Sequence, residues 1–200
     1  MFWDQVAVFY DFFEDFYNGK VNRELCKRVK DLICAEDKVL ECACGTGMLS
    51  KHIGAKCEKL IATDFAVGML KQAKKNCSHL KNVQICEANI MELSYESNSF
   101  DKVVAGNVIH LLDHPKMALK ELERVCKPEG KIIIPTYVNK QNSGKPNWLV
   151  KAIGKAGADF KGQFNYETYQ RFFENCGYNN AEYSIVEGKI PCAIAVITKQ

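Results

Sequence analysis

Short apolar runs that stop at a polar residue recur along the chain, separated by stretches long enough for a helix. This alternation predicts an α/β fold on a parallel sheet. Val39 to Glu41 reads as the first strand and Lys59 to Thr63 as the second, ending at Asp64. Val83 to Ala88 reads as the third, followed by Asn89, and Phe100 to Ala105 as the fourth, followed by Gly106-Asn107. Gly130 to Tyr137 is the fifth. Tyr166 to Asn175 reads as the last helix, ended by Cys176-Gly177, where glycine can take the left-handed cap conformation. Ala181 to Val186 and Cys192 to Thr198 then read as two strands around Glu187-Gly188-Lys189. Over Trp3 to Tyr17, the positions Val6, Phe9, Tyr10, Phe13, Phe16 and Tyr17 follow helical spacing, which predicts an amphipathic aromatic helix, packed on the sheet or serving as a lid. Residues 138–165, rich in Gly, Lys and Asn and holding Trp148, break the pattern and read as a surface connection or a pocket wall.

Chemistry concentrates at the predicted strand ends. Open α/β sheets bind ligands just past the carboxyl ends of their strands, where Glu41, Asp64, Asn89 and Asn107 all fall. After the first strand, Gly45-Thr46-Gly47 makes a turn in which backbone can pass close to a ligand, and the helix that follows offers unpaired N–H groups. The run from Gly45 to Ser50 is nearly the G-x-G-x-x-G of dinucleotide-binding folds, with Asp64 placed 17 residues after Gly47. Ser50, however, stands where the third glycine belongs, and a carboxylate at Glu41 would repel a pyrophosphate. S-adenosylmethionine carries an ammonium and a sulfonium and no phosphate, so an acid-rimmed turn suits it better. Asp64 can accept both ribose hydroxyls of an adenosine.

Four segments extend this reading: VLECACGTG, IATDFAVGML, LSYESNSFDKVVAGNVIHLL and LERVCKPEG. The first, third and fourth resemble the VLDLGCGTG, LPFPDNSFDxVxxxxxLHHL and ERVLKPGG stretches of the Rossmann-like, class I S-adenosylmethionine-dependent methyltransferases, and the second resembles their acidic loop. The likeness is greatest to the small-molecule branch that includes the ubiquinone and menaquinone methyltransferases. It implies a doubly wound, mostly parallel seven-stranded sheet of order 3-2-1-4-5-7-6, with strand 7 antiparallel and helices on both faces. It implies S-adenosyl-L-methionine as cofactor and S-adenosyl-L-homocysteine as product. The cofactor-binding residues it implies are Tyr10, Glu41, Ala43, Gly45, Thr46, Gly47, Asp64, Phe65, Met69, Asn89, Ile90 and Asn107. Asp64 would take the ribose, Phe65 would flank the adenine and Tyr10 would close over the methionine end. Three positions depart from the pattern: Glu41 replaces an Asp, Ala43 replaces the first glycine, and Asn89 replaces the acid that reads the adenine amine. The carbonyl of Asn89 can still accept that hydrogen bond.

His110, in NVIHLL just beyond strand four, is the candidate general base, its ordinary pKa suiting proton removal near neutrality; packing or substrate orientation is the alternative. Tyr10 joins it as a candidate on the acceptor side. The stretch Asn107-Val108-Ile109-His110 lacks the Asn/Asp-Pro-Pro-Tyr/Phe found in methyltransferases of nucleobase and glutamine amines. A small-molecule acceptor with an O, N, S or C nucleophile is therefore expected, methylated by in-line displacement. Two alternatives stay open: a noncatalytic sensor or partner protein that binds S-adenosylmethionine, and an NAD-dependent oxidoreductase.

At 200 residues and 47% hydrophobic content, the chain fits one methyltransferase domain. Within it, 1–20 is the aromatic helix or lid, 21–137 the cofactor-binding core, 138–165 the substrate-side insert and 166–200 the closing helix and hairpin. Lys plus Arg number 27 against 24 Asp plus Glu, and the cations look scattered, so no nucleic-acid partner is expected. No apolar run approaches the roughly 20 residues that span a bilayer, and Met-Phe-Trp-Asp does not begin a secretory signal. The expectation is a cytoplasmic monomer or homodimer without membrane insertion. Ten cysteines without a C-x-x-C pair read as reduced and structural, with Cys42-Ala43-Cys44 on the buried first strand; a thiol relay through Cys42 or Cys44 is the alternative. No metal is expected.

Overall fold

The computed structural model describes residues 18–139 and 163–200. Strands β1 (Lys38–Cys42), β2 (Lys59–Asp64), β3 (Val83–Glu87), β4 (Phe100–Ala105), β5 (Cys126–Tyr137), β6 (Glu182–Val186) and β7 (Cys192–Thr198) form one sheet in the order β3-β2-β1-β4-β5-β7-β6. The five strands β1 to β5 pair in parallel, and β7 runs antiparallel to both β5 and β6. This is the expected doubly wound topology.

Alternation along the strands sends side chains to two cores. Leu40, Ile61, Val103 and Ile132 point to one face, and their neighbours Val39, Leu60, Val104 and Ile133 to the other. Because helices cover both faces, the central strands hold continuous apolar stretches, Val39-Leu40, Leu60 to Ala62, Val103 to Ala105 and Ile132 to Ile134, and do not alternate with polar residues there. Helices α1 (18–31), α2 (Met48–Gly54) and α3 (Val67–Asn76) cover the second face through Leu25, Val29, Ile53, Leu70 and Ala73. On the first face, α4 (Pro115–Val125) and α5 (Tyr166–Glu174) bury Leu119, Leu122, Tyr169 and Phe173. The Tyr169 hydroxyl donates to the Ile134 carbonyl and accepts from the Ala195 amide at 3.1 Å, although those residues are themselves register partners of β5 and β7. One phenol therefore sews α5 into the sheet.

The structure departs from the sequence reading in three places. Helix α1 was not anticipated, although Val21, Leu25, Val29 and Ile33 recur every fourth residue and bury one stripe. β5 begins at Cys126 and not Gly130, because Cys126 pairs with Phe100 before the register shifts and Glu129 turns left-handed at φ 60°. An added Cβ at Gly130 would sit 2.8 Å from the Lys127 carbonyl, so glycine lets the bulge close. Finally, β1 ends at Cys42; Ala43 leaves the strand at φ 54°, so Cys44 belongs to the turn. The left-handed Gly177, φ 95°, ends α5's turn as expected. The aromatic segment 3–17 and Trp148 lie outside the described residues.

Candidate functional site

At the carboxyl edge of the sheet, β1 runs into a turn held in left-handed backbone at Ala43, Gly45 and Gly47, with φ values of 54°, 55° and 88°. The Cys44 amide donates to the Thr63 carbonyl at 2.8 Å, which keeps the turn against β2. A Cβ on Gly47 would meet Cys77 Sγ at 3.2 Å, so glycine here admits the end of α3, whose Asn76 Nδ2 donates to the Thr46 carbonyl at 2.9 Å. Nothing would obstruct a Cβ on Gly45, whose amide instead serves the site. It donates to Asp64 Oδ2 at 2.8 Å, while the Ala66 amide donates to Oδ1 at 2.9 Å. Two backbone donors thus fix the carboxylate.

Asp64 faces a cavity of about 360 Å³, within the range of small-molecule sites. Eight of the anticipated cofactor residues line it: Ala43, Gly45, Asp64, Phe65, Met69, Asn89, Ile90 and Asn107. The sequence reading missed Ala66, Ala88, Met91, Gly106, Val108, Leu111 and Leu112, which complete the wall. Most of these are apolar, and the pattern alone made them core residues. Asn107 adopts φ 53° and ties the end of β4 to β5, its amide donating to the Pro135 carbonyl at 2.8 Å and its Oδ1 accepting from the Tyr137 amide at 2.9 Å. Asn89 Oδ1 accepts from the Met91 amide at 3.0 Å, so only part of its acceptor capacity is left for a ligand. The loop carrying Asn89 to Met91 is clamped from α4: Arg124 donates to the Leu93 and Tyr95 carbonyls at 2.8 and 2.7 Å, and Glu121 accepts from the Leu93 amide at 2.8 Å.

Glu41, Thr46 and Gly47 do not line the cavity. Glu41 lies beneath the turn at 2% exposure, where Ser50 Oγ donates to its Oε2 at 2.6 Å. Burial, with a smaller push from the charge of Asp64, raises its carboxyl to about 8 against the opposing pull of the Ser50 bond. The expected acid rim is therefore corrected: Glu41 is a mostly neutral buried acid near pH 7, and the carboxylate on the wall is Asp64. Ser50, which breaks the dinucleotide pattern, is the partner that accommodates it.

His110 sits in a short 3-10 turn, Ile109–Leu111, between the wall residues Val108 and Leu111 but not itself on the wall. Burial pushes its imidazole down to about 4, which corrects the expectation of an ordinary histidine. Tyr10 lies outside the described residues. All ten cysteines are free; burial drives the Cys42 thiol up to about 12 and Cys44 well above the ordinary range, so neither presents a thiolate near neutrality. Among the described residues no group of three or more His, Cys, Asp and Glu is arranged to hold a metal, and no helix is long and apolar enough to cross a membrane.

Residues 40–134 match a family described as a methyltransferase domain. A demethylmenaquinone methyltransferase of Staphylococcus aureus is 30% identical, in an alignment covering 76% of this chain and 72% of the relative. Among solved structures, a complex titled DhpI-SAH superposes with a TM-score of 0.74 at 15% identity, covering 98% of this chain and 93% of the other. A SAM dependent methyltransferase from Aquifex aeolicus gives 0.64 at 23%, covering 87% and 88%. These likenesses show the fold. By the family match and the S. aureus relative, the chain belongs to the class I S-adenosylmethionine-dependent methyltransferases, and S-adenosylmethionine is its methyl donor.

Proposed function

We propose that the cavity at the sheet's carboxyl edge holds S-adenosylmethionine and that the enzyme methylates a small, largely apolar acceptor by in-line displacement. One observation carries this reading: a carboxylate fixed by the Gly45 and Ala66 amides shares a cavity wall with Val108, Leu111, Leu112 and Met91. A carboxylate able to accept ribose hydroxyls and an apolar lining within one cavity suit a nucleoside donor beside an apolar acceptor. In this reading Asp64 accepts the ribose hydroxyls, Phe65 and Met69 flank the adenine, and Asn89 with Ile90 meets its edge. Ala43 and Gly45 bring backbone close to the methionine end, and Asn107 sets the wall facing it. Glu41, Thr46 and Gly47 act from below by shaping the turn. Tyr10 stays a candidate for the methionine end on resemblance alone, as do the lid role of 1–20 and the acceptor role of 138–165. The name of the S. aureus relative favours a cyclic apolar acceptor such as a quinol. We also read the enzyme as cytoplasmic, where ten free thiols persist reduced.

When bound, S-adenosylmethionine supplies an electrophilic methyl on a sulfonium that departs without acid help. The chain's own task is to align the acceptor and exclude water. Val108, Leu111 and Leu112 would dry and orient the acceptor side, which lowers the barrier by positioning. His110 supports that wall as a positioning residue. Calorimetry with S-adenosylmethionine, S-adenosylhomocysteine and NADH tests the donor site: Asp64→Ala should weaken S-adenosylmethionine by about 1–3 kcal/mol. Unchanged affinity in that variant would remove Asp64 from the site. Mass spectrometry after incubation with panels of apolar phenols and quinols, and of charged amines and thiols, tests the acceptor. Methylation confined to the charged panel would overturn the apolar reading.

A further inference from the structure

Nine of the 27 cations, scattered along the sequence, come together on three helices that cover one face of the sheet. Helices α1, α2 and α3, all packed on the same sheet face, carry nine Lys and Arg against two acids, Glu24 and Asp31. On the opposite face, α4 and α5 carry four of each sign. Along α1, Lys20, Arg23, Lys27 and Lys30 recur at spacings of three and four, on the side away from the buried Val21, Leu25 and Val29. Glu24 flanks the stripe and is held by Arg28 at 3.0 Å. On α3, Val67, Lys71 and Lys74 follow at i, i+4 and i+7, all exposed and flanking the buried Leu70 and Ala73. Lys51, Lys74 and Lys75 occupy last helical turns, where the helix dipole alone favours a cation. Lys20, Arg23, Lys27 and Lys71 do not, so the dipole leaves the stripe unexplained.

We propose that this α1–α2–α3 face docks on an anionic phospholipid bilayer. Charge complementarity names an anionic partner, and two features select lipid over nucleic acid. Seven of the nine cations are lysines, whereas arginine, with its planar fork, is the residue of choice where nucleic acid is recognised. Beside them, at the start of α3 and next to the cavity residue Phe65, Val67 is 64% exposed. A polyanion offers such an apolar side chain little, whereas the headgroup boundary of a bilayer takes it up. Since Phe65 lines the cavity, docking on this face would bring the cavity's rim to the membrane surface.

Flotation of the full chain with vesicles tests the proposal, using phosphatidylcholine alone and with about 30% phosphatidylglycerol, at low and at high salt. Binding is expected only to the anionic vesicles and is reversed by salt. The triple variant K20E/K27E/K71E should bind them about a hundredfold more weakly, while K116E/K120E on the opposite face binds as the parent does. Melting temperature and S-adenosylmethionine affinity of each variant are measured alongside. If charge reversal impairs folding, the neutral set K20Q/K27Q/K71Q takes its place and should also lose binding. Equal binding to neutral and anionic vesicles, equal loss in both variants, or binding to a nucleic-acid duplex without binding to vesicles would overturn the proposal.

Discussion

Two buried titratable groups give the individual residues of this protein an observable pH dependence. Burial holds the Glu41 carboxyl up at about 8 in the folded protein, against 4.5 in the unfolded chain. Between those values the unfolded chain has released a proton that the folded chain keeps, so its contribution to stability is full below pH 4.5 and lost as pH rises through 8. Glu41→Gln retains a neutral group of similar shape beside Ser50. Its melting temperature should equal the parent's near pH 5 and exceed it near pH 8.5 by roughly 5 °C or more, as thermal unfolding across that range would read. His110 behaves in the opposite sense: its imidazole is pushed down to about 4, so the neutral form persists throughout the range in which an ordinary histidine titrates. His110→Ala should therefore lower kcat by less than about tenfold and leave the shape of the pH–rate profile unaltered, whereas removal of a general base costs about a hundredfold or more. A hundredfold loss would restore His110 to acid–base chemistry.

At the scale of elements, side chains far from the cavity hold its walls. Arg124 never reaches the cavity, yet its bonds to the Leu93 and Tyr95 carbonyls fix the loop that presents Asn89, Ile90 and Met91. Arg124→Ala should weaken S-adenosylmethionine by about tenfold, a typical loss for a charged hydrogen bond, and speed amide exchange over residues 88–95. Calorimetry paired with hydrogen-exchange mass spectrometry checks both effects. Tyr169→Phe removes a donor from the Ile134 carbonyl and an acceptor from the Ala195 amide in a dry interior. It should cost about 1–3 kcal/mol in urea unfolding with cofactor affinity nearly unchanged, because α5 meets the sheet away from the cavity.

Across the whole molecule, what was legible in sequence divides by the range of the forces involved. Strand alternation, the glycine turn and the acids that follow strands are local patterns, and they carried the α/β architecture and the strand-end residues Asp64, Asn89 and Asn107, while the resemblance to the methyltransferases carried the sheet order and the other cavity residues. Apolar wall residues such as Val108, Leu111 and Leu112 were not separable from core, since a cavity wall and a core share one composition. Helix α1 was legible in its four-residue spacing but overshadowed by the aromatic run before it. Protonation of Glu41 and His110 was not legible at all, because desolvation arises from side chains distant along the chain. The charged face escaped for the same reason: 27 cations and 24 acids look even in one dimension until three helices bring nine of those cations to one side. The sequence by itself determined the alternating architecture and the chemistry at the strand ends, since periodicity and backbone-permissive glycines act over a few residues. Only the tertiary structure decided which acid faces the cavity, which one is buried beneath the turn and where nine of the cations gather, since burial and long-range charge exist only once the chain is folded.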